Sequence, residues 1–292
     1  MKEIRISDVL FDILITVVMA AITVVTLYPF LYILFYSVSD PTLIKGGLLL
    51  APKGFTLESY KAIFTSSGQI PHAFMISLAR STLGPVMAVV ITSMAAYSMT
   101  HRELLGRKGF LKYFTITMYI NSGLIPIYIL MKTLHLTGTF WIYIVPYLFS
   151  AFNMILIKTY IEALPSSLEE SALIDGANDM VLFFKIVFPL CKPVIAAILL
   201  FESVNHWNMY SDTMFYNAQA SNLYTLQYVL MNFIETRTQS LEQAKSSVDV
   251  SMLSAGSLRM ALTIITVLPV LFVYPFLQKY FAKGLLIGSV KG

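Results

Sequence analysis

From Ile13 to Tyr36 the chain runs 24 residues without a charged side chain. A hydrocarbon layer about 30 Å thick takes roughly 20 residues of helix to cross. A helix closes its own backbone hydrogen bonds, which a water-free layer demands. The stretch therefore predicts a membrane-spanning helix. It is no isolated anchor. The chain is 57% hydrophobic and only 12% charged, with a mean hydropathy of +0.73, whereas soluble domains carry about 25% charged residues. The expectation is an all-α integral membrane protein with little mass outside the bilayer.

Six apolar spans are expected: 13–36, 78–100, 113–131, 136–157, 194–211 and 260–278, in one transmembrane domain over 1–292. Orientation follows Lys and Arg rather than net charge. With the N-terminus inside, the inner segments carry 12 Lys/Arg in 75 positions and the outer ones 6 in 85. Both termini are thus expected in the cytoplasm, as an even number of spans allows. The net charge of +4 is small and scattered, which suits cytoplasmic anchoring beside membrane lipid and argues against nucleic acid. The single Cys191 rules out an internal disulfide, and His72, His101, His135 and His206 lie too far apart for a metal motif. Met1 to Asp12 is charged and the run behind it is too long for a signal-peptide core, so no cleavable signal is expected.

The outer segments read as turns and short helices. Gly46-Gly47 and Pro52-Lys-Gly54 are turn signals, 56–63 suits a short surface helix, and the apolar piece 223–234 suits an interfacial position. The inner segment 158–192 is polar and acidic between two apolar runs. Ser166 with Glu169, and Ser167 with Glu170, fit the Ser-x-x-Glu capping box that starts a helix. Leu168, Ser171, Ala172 and Asp175 recur at helical spacing and place small side chains on one face. Gly176 suits the left-handed position that ends such a helix, and Asn178 can cap a second one toward Ile186. Pro189 and Pro193 mark the start of the next apolar run. Taken alone, this periodicity also fits an ordinary amphipathic loop helix.

The order Glu170-Ser171-Ala172, three residues, Gly176, nine residues, then Ile186-Val187-Phe188-Pro189 resembles the "EAA" loop of binding-protein-dependent ABC transporter permeases. Ser171 stands where that pattern has Ala, and Phe188 where it has Leu. The resemblance implies a coupling loop over 158–192 that docks on a separate ATPase, with Glu169, Glu170, Ser171, Ala172, Asp175, Gly176, Ile186 and Pro189 as its coupling residues. Ala95-Ala96-Tyr97 with Arg102 and Gly106-Arg107-Lys108 is similar to the corresponding run of carbohydrate-uptake permeases, although a basic helix end explains it physically. Asn121 to Tyr128, with Gly123 and Pro126 expected as packing and kink residues inside the third span, and Leu134 to Tyr147 follow the same family pattern. The tail Tyr274 to Gly292 resembles the polysaccharide-fragment, "lipoprotein-type" branch of sugar permeases. The likeness runs from Leu10 to Gly292. It implies a six-helix type I importer permease in a bacterial plasma membrane. The implied partners are a second, homologous permease subunit, two ABC ATPase subunits, an extracellular solute-binding lipoprotein and an oligosaccharide.

No Gly-x-x-x-x-Gly-Lys phosphate loop is present, and Gly-Lys does not occur. The chain is therefore expected to be non-catalytic and to hold no cofactor, with ATP and Mg bound by the partner ATPases. In the fifth span, Glu202 lies about 13 Å past Pro193 at 1.5 Å per residue, where an ionisable group facing lipid costs at least a few kcal/mol. Glu202, Asn205, Trp207, Asn208 and Tyr210 offer polar groups and aromatic faces suited to sugar. Trp207-Asn208 resembles the Trp-Asn of carbohydrate permeases. Subunit contact with an interfacial Trp is the plainer reading of the same residues, and Arg80 reads as snorkelling or salt-bridged. The alternative function is an ion-coupled secondary transporter with Glu202 as proton carrier. Paired broken helices would favour it, and none is legible. A membrane enzyme lacks any acid/base or metal constellation.

Overall fold

The computed structural model describes residues 6–44, 47–65, 69–120, 122–165, 167–243 and 250–289, with side chains placed for 9–235 and 256–276 within them. Ser166, Gly46, Asn121 and 290–292 of the tail lie outside the described residues. The helices are α1 (Ile6–Ser37), α2 (Glu58–Thr65), α3 (Gln69–Ser98), α4 (Arg107–Thr117), α5 (Leu124–Thr133), α6 (Ala151–Glu162), α7 (Ser167–Ile174), α8 (Asp179–Leu190), α9 (Lys192–Asn208), α10 (Ser211–Tyr216), α11 (Leu226–Gln243) and α12 (Val250–Ser289). Two compact units result: Met1–Gly68 with Asn232–Leu268, and Gln69–Met231 with Pro269–Gly292.

By length and composition, the spans Val9–Ser37, Gln69–Ser98 and Gly256–Phe276 can each cross a membrane. Two bent pairs, Phe140–Tyr147 with Ala151–Glu162 (49°) and Asp179–Leu190 with Lys192–Asn208 (78°), raise the total to five among the described residues. The expected span 113–131 is not one helix. The chain leaves α4 at Thr117 and restarts α5 after Gly123, whose backbone (φ 80°, ψ 174°) is not helical. Pro126, expected to kink that span, instead sits in the first turn of α5, where no internal N–H bond is needed. The expected span 136–157 opens as two short 3₁₀ turns, Phe140–Tyr143 and Val145–Tyr147, and becomes α-helical only where Ser150 caps Asn153 N.

In the first unit α1 carries Tyr28, Tyr32 and Tyr36 on one face, their rings 6.1 and 5.9 Å apart in sequence order. The loop after α1 folds back on it, with Leu49 N–H donating to Tyr28 Oη and the Ser37 hydroxyl bonded to Tyr60 Oη. Lys53 N–H donates to the sealed Ser39 Oγ. The expected surface helix is present as α2, shifted two residues from the predicted bounds, with Thr56 Oγ1 accepting from Glu58 N.

The second unit is built on α3. Its buried face is small and polar: Ser77, Arg80, Ser81, Gly84, Ala88, Thr92 and Ser93. Small residues let helix backbones approach closely in an apolar layer. A Cβ on Gly84 would stand 2.7 Å from the His206 ring, so only glycine admits α9 at that distance. Toward the other end, Val89, Ala96 and Tyr97 of α3 share one core with Met154 and Ile157 of α6, Ala172 of α7, Leu182, Phe183 and Val187 of α8, and Ile195 of α9. Leu226, Tyr228, Val229 and Leu230, expected at the interface, are buried.

Candidate functional site

The first candidate is the hairpin of α7 and α8. In α7, Ala177 N–H donates to Ala172 O and Gly176 N–H to Leu173 O, the paired bonds of a Schellman stop. That stop puts Gly176 at φ +78°, where L side chains are strained. Asn178 Oδ1 then accepts from Val181 N at 2.9 Å and starts α8, as the sequence predicts. Ser167 is already the first residue of α7 and its carbonyl accepts from Ser171 Oγ, so the Ser167/Glu170 pair forms no capping box.

The middle of α8 widens to a π turn, Phe183–Val187. Pro189 supplies the reason: it has no N–H for the carbonyl four residues back, and its ring crowds that carbonyl. A longer turn removes the clash, and Phe188 N–H reaches Phe183 O instead. Phe183, Phe184 and Phe188 fill the turn with ring contacts of 4.8 to 6.4 Å.

Of the predicted coupling residues, Glu170, Ser171, Asp175 and Gly176 are exposed, Glu169, Ile186 and Pro189 are half-buried, and Ala172 is buried. Ala172 faces the chain's own core, so it can serve an outer contact only by seating α7. The outer surface is instead Leu173, Ile174 (87% exposed) and Met180, beside Glu170, Asp175 and Asp179. Between residues 166 and 184 there are four carboxylates and no Lys or Arg. A cleft of about 570 Å³ opens at the hairpin's base between the turn after α3 and α8, lined by His101, Arg102, Glu162, Glu169 and Ile186 among others. Arg107 braces that turn, donating to Met99 O at 2.7 Å and to Glu162 at 2.9 Å, while Lys158 takes the other Glu162 oxygen.

The second candidate is the predicted substrate path on α9. Glu202 is half-buried and accepts from Asn153 Nδ2 of α6 at 2.6 Å. Asn205 and Asn208 are exposed and Tyr210 is half-buried. Trp207 is not interfacial: it is 5% exposed and packs edge-on against Phe74 of α3, ring centroids 5.7 Å apart. It also lines a mostly apolar cavity of about 200 Å³ with Leu78, Ser81, Leu200 and Val204. Asn153 was not foreseen, because nothing in its local sequence marks a partner 49 positions away.

Beyond α9 the chain turns into a sealed polar belt. Arg80 (0% exposed) grips both oxygens of Asp212 (2%), one of them at 3.0 Å, donates also to Met209 O, and lies 4.6 Å over the Tyr143 ring. Asn217 bridges Gly138 N and Thr139 O, Tyr143 Oη donates to Leu223 O, and Ser77 Oγ accepts from Leu226 N. The salt-bridged reading of Arg80 holds, and its partner is 132 residues away.

The chain as a whole is matched by a known family. Residues 4–287 fit the family described as binding-protein-dependent transport system inner membrane component. The chain belongs to this family. It is a membrane permease component of an ABC transport system, a non-catalytic subunit. The polygalacturonan/rhamnogalacturonan transport system permease protein YtcP of Bacillus subtilis is 34% identical over 290 residues, covering 97% of this chain and 99% of the relative. Protein LplC of the same organism is 35% identical over 283 residues, 97% and 95% of the two chains. Among solved structures, a chain of a bacterial ABC transporter that imports the acidic polysaccharide alginate superposes with a TM-score of 0.84 at 27% identity, covering 96% of this chain and all of that one.

Proposed function

We propose that this permease carries oligosaccharides, delivered by an extracellular solute-binding protein, across the plasma membrane with ATP hydrolysed by two separate ABC ATPase subunits. The named cargo of two similar proteins, polygalacturonan/rhamnogalacturonan and alginate, supports a polysaccharide-fragment substrate. A second, homologous permease completes the pathway, and both termini face the cytoplasm. ATP and Mg belong to the partners. The ion-coupled alternative is not favoured by membership of this family.

The hairpin carries the coupling reading. It is capped at its turn, seated in the core through Ala172, Leu182 and Phe183, and leaves Leu173, Ile174 and Met180 bare amid the exposed carboxylates of Glu170, Asp175 and Asp179. An ordered apolar ridge with an acidic rim fits a partner cleft that is apolar inside and basic around. ATP-driven closure of the ATPases on α7 would shift the helices sharing its core from an outward-facing to an inward-facing arrangement.

The experiment is paired-cysteine crosslinking in the assembled transporter. Ile174→Cys should capture the ATPase subunit in a nucleotide-dependent manner, and Glu170 or Gly176 replacements should lower substrate-stimulated ATPase activity. Absence of both effects overturns the docking role. Unaltered uptake by a Glu202→Gln transporter across several sugars would remove Glu202 from the substrate path.

A further inference from the structure

Arg80 and Arg259 both lie within apolar helices, and among the described residues only the first is paired with a carboxylate. Arg259 stands three residues past Gly256, in the apolar stretch Gly256–Phe276 of α12. It forms no salt bridge among the described residues, and its Nε is buried without a hydrogen-bond partner. A guanidinium inside a span without a counter-charge is costly, by about 2.5 kcal/mol or more at the bilayer centre and less toward its edge. The charge is left available for an anion from outside the described chain.

Its surroundings state what that anion is attached to. Tyr36 of α1 lies directly against α12: a Cβ on Gly256 would stand 2.9 Å from Tyr36 Oη, so glycine is what admits the phenol. Tyr36 and Arg259 are electrostatic neighbours. Gly256 and Arg259 are three residues apart and so share a helix face. Tyr32 follows one turn up α1, with its ring 5.9 Å from that of Tyr36, and Tyr28 follows Tyr32. The Tyr28 hydroxyl is taken by Leu49 N–H, which leaves Tyr32 and Tyr36 as the half-buried rungs, with Tyr36 the one next to the arginine. Ser257, next to Gly256 in the chain, has a buried Oγ with no hydrogen-bond partner among the described residues. Phenol rings present flat apolar faces and a hydroxyl at the edge, the complement of a pyranose ring. A guanidinium fork matches a carboxylate in two parallel bonds.

We propose that Arg259, Tyr36 and Tyr32 form a subsite for a carboxylate-bearing sugar ring, so that this subunit selects acidic, uronate-type oligosaccharides over neutral ones. The proposal rests on the importer reading and names its substrate class. The site sits where the end of α1 meets the start of the α12 span, the end of the helix pair remote from the chain termini. With both termini cytoplasmic this is the outer mouth of the path, where a released acidic oligosaccharide first enters.

The test uses the complete transporter with its ATPases and binding protein in proteoliposomes. The probes are a trigalacturonate and its carboxyl-reduced counterpart. Arg259→Gln should cut trigalacturonate uptake at least tenfold, through KM, and change uptake of the reduced sugar less than twofold. Raising salt should raise KM for trigalacturonate in the parent and leave it flat in Arg259→Gln. Arg259→Lys should recover part of the loss, and Tyr36→Ala should weaken both sugars. Equal loss on both sugars, no loss on either, or a drop in complex assembly that Arg259→Lys does not repair would each overturn the subsite. A parent that carries only the neutral sugar overturns the acidic selectivity and leaves the importer reading intact. A parent that carries neither sugar overturns the oligosaccharide reading itself.

Discussion

The belt around Arg80 and the hairpin of α7 and α8 both concentrate charge, and they dispose of it in opposite ways. In the belt Asp212 is sealed and gripped by a guanidinium, and the amide of Asn217 and the hydroxyls of Thr213 and Tyr143 are satisfied within the chain. In the hairpin Glu170, Asp175 and Asp179 meet solvent beside bare Leu173, Ile174 and Met180. Charge that is paired inside holds a fold together. Charge left open on a well-capped element beside apolar side chains is free for the docking proposed above.

Five measurements can break or sharpen that contrast, the first with the largest expected effect on stability and the last with the smallest. Asp212→Ala strands the Arg80 cation and should cost about 3–5 kcal/mol, the usual penalty for half of a buried pair. Thermal unfolding in detergent measures it, and Arg80→Met with Asp212→Leu should restore much of the loss. A tolerated Asp212→Ala would mean the belt is not scaffold. Gly176→Val forces a branched side chain into φ +78°, with open space around it, so backbone strain alone should cost about 1–2 kcal/mol. Gly176→Asn should cost less, because Asn visits this region more readily.

Removing the Asn153 amide with Asn153→Ala should cost about 1.5–3 kcal/mol if its bond to the Glu202 carboxylate is representative, and nearer 1 if water replaces it. The shift in unfolding midpoint relative to Glu202→Gln separates the two. Ile174→Ser on the bare ridge should change stability by no more than about 0.5 kcal/mol while abolishing ATPase stimulation. A large loss of stability there would show the ridge to be part of the core.

The smallest effect concerns Asp40, in the exposed turn after α1. Its carboxylate accepts from the Thr42 hydroxyl and amide, which hold its pKa below the usual carboxylate range. A depressed folded pKa adds stability to the turn above the unfolded value of about 3.9. That stability is lost as pH falls through the lower, folded value. Amide exchange at Thr42 should therefore quicken only in acid, and Asp40→Ala should erase that dependence.

What the sequence made legible is mostly local. Gly176 and Asn178 act within a few residues of themselves, so composition at those positions was enough to place the stop and the restart of the hairpin. The presence of α1, α3 and the α12 span follows from apolar length, but α3 begins at Gln69, well before the expected start at 78, because the helix continues through polar residues that hydropathy alone does not assign to a span. Long-range pairings were not legible. Arg80 looked salt-bridged, but no local pattern points to Asp212, and Asn153 gives no hint of Glu202. Trp207 looked interfacial because Trp often is; its burial depends on Phe74 of another helix. The breaks at Gly123 and before Ser150 were missed because apolar composition is the same on both sides of a bend. The tyrosines of α1 do carry a signal, recurrence every fourth residue, inside a run whose apolar length dominates its pattern.

The hairpin's inner residues belong to the same core as Val89 of α3, Met154 of α6 and Ile195 of α9. Close-packed interiors yield little before their neighbours move. A displacement of a few ångströms at Ile174 therefore has no slack to disappear into. Under the proposed coupling it would reach α3, α6 and α9 together, with the shared core as the fulcrum of a lever.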